Sequence, residues 1–506
     1  MHNNSALNGA ADRRRWFSRL DLLLAGAITL PVSAAIALAP DHADGSLFVY
    51  IGQMWAGGTL PYVKLFENKP PGIFALIALA AHINRSLWVV ALIEFLFAVA
   101  CVATLRAMLK RRGAPLQVVF FGTLCASLAV NLRLYAAGNM TESYMLWPMA
   151  ASMLAFLSAI ESGKTRWFVV AGLCTGVAVA FKPFALSALM AQVVFTLLRA
   201  WSQRRWFAAC VAIAANVAGA VAAWIPALVY FWLHGGLKEM IEASFLYNVH
   251  YGLASQPQVL YTPSMLAHQL LPVSTMLACL VFGGYRACKR RAEILETLEP
   301  VWTLVLLWFG FGLLLVLAAG RGYEHYFLSL TPALSLAAAL FFWSVEESLA
   351  AIGLRQAVAA LVVAPVLLAY YPGFSRSVRD LASPDRSVQP DELMVGEIRR
   401  TATPSSSLLV WGYEPWLFYS TGLRSALRYP STNYIYGSLR SYDLIGREIL
   451  NGMRTSPPDL VVVSTENRET SRPVPADPVK KQFDAMLAES YTEVAHVQPY
   501  LLYRRR

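Results

Sequence analysis

Ionisable residues stand where apolar segments of this sequence end, and they are suited to acid–base chemistry at a membrane surface. Asp41 and Asp44 follow the first apolar run, Leu22–Ala39. Lys69 comes later in the same loop, directly before two prolines. A carboxylate can take a proton from a hydroxyl group, and a nearby lysine can stabilise an anion that forms in the same reaction. The loop therefore indicates chemistry on a substrate carried by the bilayer.

Later turns of the sequence also carry ionisable groups at the ends of apolar segments. Charges at membrane depth are costly, so those retained near helix ends are candidate functional residues. The alternative is that they mark helix ends and extend to the interface. A functional role is favoured for Lys69 and Lys182. Each precedes a proline, which disfavours helical backbone at the lysine. Each also lies on the outer side of the membrane, where positive residues are depleted. The other groups are Glu67, Arg133, Glu142, His250, Arg321, Glu324 and His325.

The elements that must position these residues are membrane-spanning helices. The chain has 506 residues, of which 57% are hydrophobic and only 14% are charged, whereas soluble domains carry about 25% charged residues. Apolar runs of about 17–25 residues recur between Leu22 and Tyr371, and each is long enough to cross a bilayer. The sequence predicts a polytopic α-helical membrane protein with about eleven spans.

Basic clusters predict the orientation of these spans. The net charge of +11 is concentrated in short loops, which is typical of cytoplasmic loops and argues against a nucleic-acid partner. The N-terminus is then cytoplasmic, the first span is a retained signal anchor, and the first loop, Pro40–Leu87, lies outside. Within it, Ile73–Ile83 is too short to span and is predicted to be a juxtamembrane or re-entrant helix. The clusters are Arg13-Arg14-Arg15, Lys110-Arg111-Arg112, Arg204-Arg205 and Lys289-Arg290-Arg291.

Composition changes sharply at Pro372, which predicts two domains. Residues 1–371 form the transmembrane catalytic domain, and residues 372–506 form a small α/β domain on the outer, periplasmic side. Short apolar runs at Leu408–Trp411 and Leu460–Val463 are typical of buried strands. Glu414–Thr421 is predicted to be a helix that Gly422 ends. Three aromatic residues here favour core packing over an acceptor surface: Tyr413, Trp416 and Tyr419.

An ordered series of short motifs resembles the GT-C superfamily of glycosyltransferases, in the branch that holds protein O-mannosyltransferase-like enzymes and lipid A aminoarabinose transferases. The resemblance covers roughly residues 15 to 370 in order and topology. The first-loop motifs are Asp44-Gly45, Tyr50-Ile-Gly-Gln, Gly58-Thr-Leu-Pro61-Tyr62 and Asn68-Lys69-Pro-Pro-Gly72. Later motifs are Asn139-Met-Thr141-Glu142, Ala180-Phe-Lys182-Pro183 and Arg321-Gly-Tyr323-Glu-His325-Tyr326.

The resemblance implies roles for individual residues. Asp44 matches the first-loop aspartate and is expected to be the catalytic base. The family often has a second acid next to it, where this chain has Gly45, so Asp41 or Glu142 would have to complete any site for a divalent cation such as Mg²⁺ or Mn²⁺. Contacts with the donor phosphate are expected from Lys69, Lys182, Arg321, His325 and Arg133. Substrate contacts are expected from Glu142, Tyr50, Tyr62 and Tyr323, although an aromatic belt at the interface also explains Tyr50.

These features predict a glycosyltransferase of the bacterial inner (plasma) membrane. It would move a sugar from a polyprenyl-phosphate donor to a lipid, glycan or protein acceptor at the periplasmic face, with inversion by a single displacement. The sequence has no P-loop and no strand–GxGxxG–helix unit, which fits a lipid-linked donor rather than a nucleotide sugar. The first alternative is a transporter or flippase of a lipid-linked sugar, which outer-side charges disfavour because transporter sites lie near the midplane. The second is an accessory protein with a degenerate site.

Overall fold

A computed structural model shows a mostly helical chain with one small β-sheet. The structure describes residues 3–38, 43–133, 138–249, 262–289, 300–320, 322–382, 390–437, 439–465 and 477–506. Asp41, His250 and Arg321, three of the residues singled out by sequence, lie outside these ranges.

Nine helical segments within the described residues are long and apolar enough to cross a membrane. Two further predicted spans correspond to apolar helices of 15 residues, Leu116–Val130 and Thr165–Val179. The first-loop segment predicted to be too short to span is a 12-residue helix, Gly72–Ile83. The nine are Leu20–Leu38, Leu87–Arg111, Thr141–Ser162, Pro183–Gln203, Trp206–Leu233, Pro263–Tyr285, Val301–Ala318, Glu324–Glu346 and Arg355–Ala382.

The chain divides into two compact units. The first, here the helical unit, consists of Met1–Ala39, Leu87–Pro226 and Tyr261–Ser383. The second, here the mixed unit, consists of Pro40–Ser86, Ala227–Leu260 and Pro384–Arg506. The first loop, which ends at Ser86, therefore belongs to the same unit as the C-terminal segment, which begins at Pro384.

The helix that contains Tyr371 does not end where the sequence changes composition. It runs from Arg355 to Ala382 with Pro365 and Pro372 inside it. A proline removes one backbone hydrogen bond and kinks a helix, but the helix can resume beyond it. The helix end therefore lies eleven residues beyond the boundary predicted at residues 371 and 372.

Small residues and a polar network hold the helical unit together. A Cβ atom at Gly172 would lie 1.8 Å from the carbonyl oxygen of Asn216, so helices Thr165–Val179 and Trp206–Ala222 approach through glycine. Close backbone approach of this kind drives helix association in lipid. A buried chain of hydrogen bonds, each 2.7 Å long, links side chains of four helices: Thr175, Ser152, Gln192 and Asn216.

The mixed unit contains a five-stranded sheet with the order β2-β1-β3-β5-β4. The strands are β1 Ser407–Trp411, β2 Arg424–Ser425, β3 Leu460–Ser464, β4 Tyr491–Val497 and β5 Tyr500–Arg505. Strand β1 is parallel to both β2 and β3, whereas β5 is antiparallel to β3 and β4.

The predicted strands and helix of the C-terminal segment are confirmed. Strands β1 and β3 pair with Leu408 opposite Leu460, and their apolar side chains are buried, as expected of central parallel strands. The predicted short helix spans Pro415–Thr421 and ends at Gly422, whose φ of 69° suits glycine. Strands β2, β4 and β5 were not predicted.

The other helices are shorter or carry a polar face. Those of the first loop and the following segments are Asp44–Ala56 and Leu237–Ile241. Those of the C-terminal segment are Pro390–Thr401, Leu439–Thr455 and Pro478–Ser490.

Candidate active site

Asp44 opens a helix of the mixed unit and is accessible to a substrate. It is the first residue of helix Asp44–Ala56, where a negative charge is favoured by the helix dipole. Its side chain is 25% exposed. The hydroxyl of Tyr413 donates a hydrogen bond to Oδ1, and the ammonium of Lys69 lies 3.6 Å from Oδ2. The carboxylate is therefore held from two sides and still faces solvent.

Lys69 lies among oxygen atoms of three residues. Its Nζ atom is 3.4 Å from Glu67 Oε1 and 3.0 Å from Asn68 Oδ1, in addition to Asp44. It also lies 5.7 Å from the centre of the Phe48 ring. The two prolines that follow Lys69 lead into helix Gly72–Ile83, so the lysine backbone stays outside the helix. We call Asp44, Glu67 and Lys69 the loop cluster.

Glu67 is the buried member of the loop cluster; the sequence marked it as a candidate ionisable residue but assigned it no specific role. Its side chain is 2% exposed. Oε1 accepts the backbone N–H of Asn68 at 3.0 Å, and Oε2 accepts the hydroxyl of Tyr434. Burial raises the pKa of the Glu67 carboxyl, Lys69 opposes this rise, and Asp44 adds to it. The signal that could have assigned Glu67 a role is its position two residues before Lys69, in the same loop as Asp44.

Tyr50 and Tyr62, predicted to contact substrate, are buried in the mixed unit. The Tyr62 hydroxyl donates to the carbonyl of Lys69 at 2.9 Å and its ring is fully buried. The Tyr50 hydroxyl accepts the N–H of Ser425 at 2.9 Å, and its ring stacks on Phe418 at 5.2 Å. Tyr62 thus supports the backbone of Lys69, whereas Tyr50 packs against the C-terminal segment.

A second group of predicted residues meets in the helical unit. Lys182 Nζ lies 2.5 Å from Glu142 Oε1, and His325 Nε2 lies 3.7 Å from the same oxygen. Thr141 donates to the other oxygen, Oε2, at 2.8 Å. The ring of Tyr323 stacks on His325 at 5.4 Å. We call Glu142, Lys182 and His325 the helix-end cluster.

Burial and aromatic rings define the electrostatics of the helix-end cluster. The side chains of Glu142 and Lys182 are 1% and 8% exposed, whereas that of His325 is 23% exposed. The ammonium of Lys182 lies 4.4 Å from the centre of the Tyr326 ring and 5.3 Å from that of Phe184. Glu142 therefore neutralises a lysine that aromatic faces also stabilise, and His325 is the member most open to solvent.

Arg133 has partners elsewhere in the helical unit. Its guanidinium donates to Ser377 Oγ at 3.1 Å and lies 3.8 Å from Asp380 Oδ2. Together with Glu94 it lines a small cleft. Glu94 accepts the backbone N–H of Asn139 at 2.9 Å, so this buried acid has a polar partner.

The described residues contain no group of three or more His, Cys, Asp or Glu side chains placed to hold a metal ion. In the loop cluster, the ammonium of Lys69 already lies between the carboxylates of Asp44 and Glu67. In the helix-end cluster, Lys182 neutralises Glu142. Neither pair of residues fits a divalent cation without displacing a lysine.

Comparison with known sequences identifies a family match in the part of the chain that carries these residues. Residues 68–230 match the family described as dolichyl-phosphate-mannose-protein mannosyltransferase. That range includes Lys69, Glu142 and Lys182. No curated protein sequence matches this chain significantly.

Several solved structures share the fold. The apo state of ArnT from Cupriavidus metallidurans matches with a TM-score of 0.63 and 14% identity, over 98% of both chains. The same protein bound to undecaprenyl phosphate matches with a TM-score of 0.59 and 14% identity, over 96% of this chain and 97% of that one. The archaeal oligosaccharyltransferase AglB from Archaeoglobus fulgidus, in complex with an inhibitory peptide and a dolichol-phosphate, matches with a TM-score of 0.55 and 11% identity. That match covers 89% of this chain and 70% of AglB.

These findings confirm the resemblance found in the sequence. The chain shares its overall fold with ArnT and AglB, and it combines helices long enough to cross a membrane with a small C-terminal sheet. The family match is confined to residues 68–230, whereas the shared fold extends over 98% of the chain.

Proposed function

We propose that this chain transfers one sugar from a polyprenyl-phosphate donor to a hydroxyl group of a lipid, glycan or protein acceptor. The observation that supports this most directly is the loop cluster. An accessible carboxylate, Asp44, lies 3.6 Å from an ammonium, Lys69. These are the base and the cation that such a transfer requires, held within one compact unit.

The reaction is a single displacement at the anomeric carbon. The acceptor oxygen forms a bond to that carbon while the bond from the carbon to the donor phosphate oxygen breaks. Asp44 takes the proton of the acceptor hydroxyl, and the phosphate leaves with the bonding electron pair. One displacement inverts the configuration of the sugar.

Cations stabilise the phosphate as its charge develops. Lys69 has three N–H donors, and exchange of one carboxylate contact for a phosphate oxygen directs a charge-assisted hydrogen bond at the leaving group. In the helical unit, Lys182 and His325 are proposed as contacts of the donor phosphate, with Arg321 and Arg133 as further candidates. Glu142 and Tyr323 then serve the site by holding Lys182 and His325 in place.

The proposed setting is the inner membrane of a bacterium, with the N-terminus in the cytoplasm and the C-terminal segment in the periplasm. The partners are a polyprenyl-phosphate sugar, an acceptor at the periplasmic face and membrane lipids, and no nucleic acid. A divalent cation is not assigned a step, because Lys69 and Lys182 already neutralise the carboxylates nearest to each.

The test is a transfer assay with purified full-length protein in lipid nanodiscs. Radiolabelled undecaprenyl-phosphate sugars are incubated with membrane lipids, and the label is followed into product. We expect product with the natural protein and none with Asp44→Asn, whose melting temperature should be unchanged. Lys69→Ala should weaken binding of undecaprenyl phosphate by about 10-fold or more, the worth of one charge-assisted hydrogen bond.

Other outcomes contradict the proposal in distinct ways. Normal turnover by Asp44→Asn removes Asp44 as the base. Unchanged undecaprenyl phosphate affinity in Lys69→Ala removes the phosphate role of Lys69. In proteoliposomes, movement of the labelled lipid across the bilayer without product identifies a transporter or flippase instead.

A further inference from the structure

We propose that the C-terminal segment is part of the active site and that Tyr413 positions the catalytic base. This inference rests on the proposed function, because it assigns a role around Asp44. It is drawn from contacts within the mixed unit, where residues of the C-terminal segment reach both acids of the loop cluster.

Tyr413 stands at the end of the sheet where ligands of α/β folds bind. Strands β1 and β3 are parallel and end at Trp411 and Ser464, and Tyr413 follows two residues after Trp411. The crevice outside the carboxyl ends of parallel strands is the usual ligand site of such sheets. The tyrosine that contacts Asp44 therefore comes from the edge of the sheet at which a site is expected.

The backbone before Tyr413 is fixed by an unusual turn. Gly412 has a φ of 149°, and a Cβ atom there would lie 2.8 Å from the Cβ atom of Ser464. Its N–H donates to Thr432 Oγ1 at 2.9 Å, and its carbonyl accepts the Ser431 hydroxyl at 3.0 Å. Only glycine fits this turn, and the turn sets the direction in which Tyr413 leaves the sheet.

The two oxygens of Asp44 are held by different segments. Tyr413 donates to Oδ1, and Lys69 of the first loop approaches Oδ2. Each carboxylate oxygen has two lone pairs, so both oxygens keep capacity to accept the acceptor proton. Contacts from two sides fix the plane of the carboxylate, which sets the approach of the acceptor hydroxyl.

A second tyrosine of the C-terminal segment holds the side chain of Glu67 by a hydrogen bond. Tyr434, in the turn Thr432–Gly437 of the C-terminal segment, donates to Glu67 Oε2. Arg428 donates to the carbonyl of Tyr62 at 2.8 Å, and its own carbonyl accepts the N–H of Phe66 at 2.7 Å. The first loop is thus held in its geometry by the C-terminal segment at several points.

The matched pair of variants is Tyr413→Phe and Tyr500→Phe. Each removes one phenol hydroxyl that bonds a carboxylate in the mixed unit, Asp44 for Tyr413 and Asp391 for Tyr500. Both keep the aromatic ring. Only the first touches the loop cluster, so the second controls for loss of stability.

We expect Tyr413→Phe to lower kcat by about 10- to 100-fold, since a hydrogen bond to a charged group is lost. Donor KM and undecaprenyl phosphate affinity should stay unchanged. The acidic limb of the pH–rate profile should shift to higher pH. The reason is that Asp44 loses a hydrogen bond that favours its ionised form, while its neighbours Lys69 and Glu67 are unchanged. Tyr500→Phe should keep the natural kcat and profile.

The assay uses the labelled undecaprenyl-phosphate sugar that gives product with the natural protein. If the natural protein makes no product from any such donor, the proposed function fails. If it makes product but Tyr413→Phe has the same kcat and pH profile, only the positioning role fails. The positioning role is also overturned if Tyr413→Phe and Tyr500→Phe lower kcat equally and neither shifts the pH profile. Both losses of kcat would then follow from reduced stability.

Discussion

The buried pair of Glu142 and Lys182 permits a double-mutant cycle that separates stability from donor binding. The change is Lys182→Met, Glu142→Gln and both together. The two charges lie 2.5 Å apart with side chains 8% and 1% exposed. Removal of Lys182 leaves Glu142 with Thr141 and His325 but without its main compensating charge. Loss of one partner of a buried pair costs about 3–5 kcal/mol in the free energy of unfolding.

Removal of the acid, Glu142→Gln, is expected to lower the free energy of unfolding by less. In Glu142→Gln, Lys182 keeps the faces of Tyr326 and Phe184, 4.4 and 5.3 Å away. Cation–π contacts of a desolvated ammonium are worth about 2 kcal/mol, so we expect a loss of about 1–3 kcal/mol. The double variant buries no charge at this position. The free energy of unfolding that the double variant loses should be about 3 kcal/mol smaller than the sum of the losses in the two single variants.

Two measurements complete the cycle: the free energy of unfolding in detergent micelles and the affinity for undecaprenyl phosphate. If Lys182 contacts the donor phosphate, the double variant regains stability but binds about 10-fold more weakly or worse. Additive losses of stability would refute the ion-pair reasoning. Natural affinity in the stable double variant would refute the phosphate role.

Three further outcomes follow from the geometry. Burial raises the pKa of Glu67, so the folded protein binds its proton more tightly than the unfolded chain and loses stability as pH rises above the ordinary glutamate range. The melting temperature of Glu67→Gln should therefore rise relative to that of the natural protein as pH increases above this range, and a constant difference would contradict this. Gly172→Ala should destabilise the protein by about 1–3 kcal/mol through overpacking. Gly310→Ala is the control and should not destabilise it, because no atom lies within 4 Å of the Cβ position of this helical glycine. Equal effects of the two variants in thermal unfolding would contradict the close helix approach. Chelation with EDTA should leave transfer intact because Lys69 neutralises the loop acids, and a loss that Mg²⁺ or Mn²⁺ restores would show otherwise.

Local rules were sufficient for the elements that depend on local sequence. Uninterrupted apolar runs predicted the long helices and strands β1 and β3, because both faces of those strands are buried. Gly422 predicted the end of helix Pro415–Thr421. Strands β4 and β5 escaped prediction because most of β4 is exposed and its partner β5 ends in charged residues. Their pairing comes from tertiary contact rather than from a clear alternation.

The site was harder to predict because its partners are distant in sequence. Lys182 and Glu142 are 40 residues apart, and Tyr413 and Asp44 are 369 apart. Both lysines were identified by the proline that follows each, a local signal. Tyr413 was assigned to the domain core, since an aromatic residue beside apolar ones usually packs. Nothing local distinguishes a tyrosine that packs from one whose hydroxyl reaches an acid across the unit.

Lys69 and Lys182 share a local backbone and burial pattern that affects how the donor phosphate can bind. Each precedes a proline, and Lys182 has the extended backbone, φ −154° and ψ 134°, that this position favours. A lysine that merely extends to the interface would be exposed, yet the side chains of Lys69 and Lys182 are only 18% and 8% exposed. Each is held by a carboxylate, so an incoming phosphate must exchange with that carboxylate.

This exchange predicts opposite effects for the two members of the Asp44–Lys69 pair. Asp44→Asn removes a negative charge 3.6 Å from the ammonium that the phosphate approaches. An accessible ion pair is worth up to about 1 kcal/mol, so undecaprenyl phosphate should bind about two- to fivefold more tightly while transfer is lost. Lys69→Ala should lose both affinity and transfer. Weaker binding by Asp44→Asn would mean that the aspartate supports the donor directly, and the phosphate would then not compete with it for Lys69.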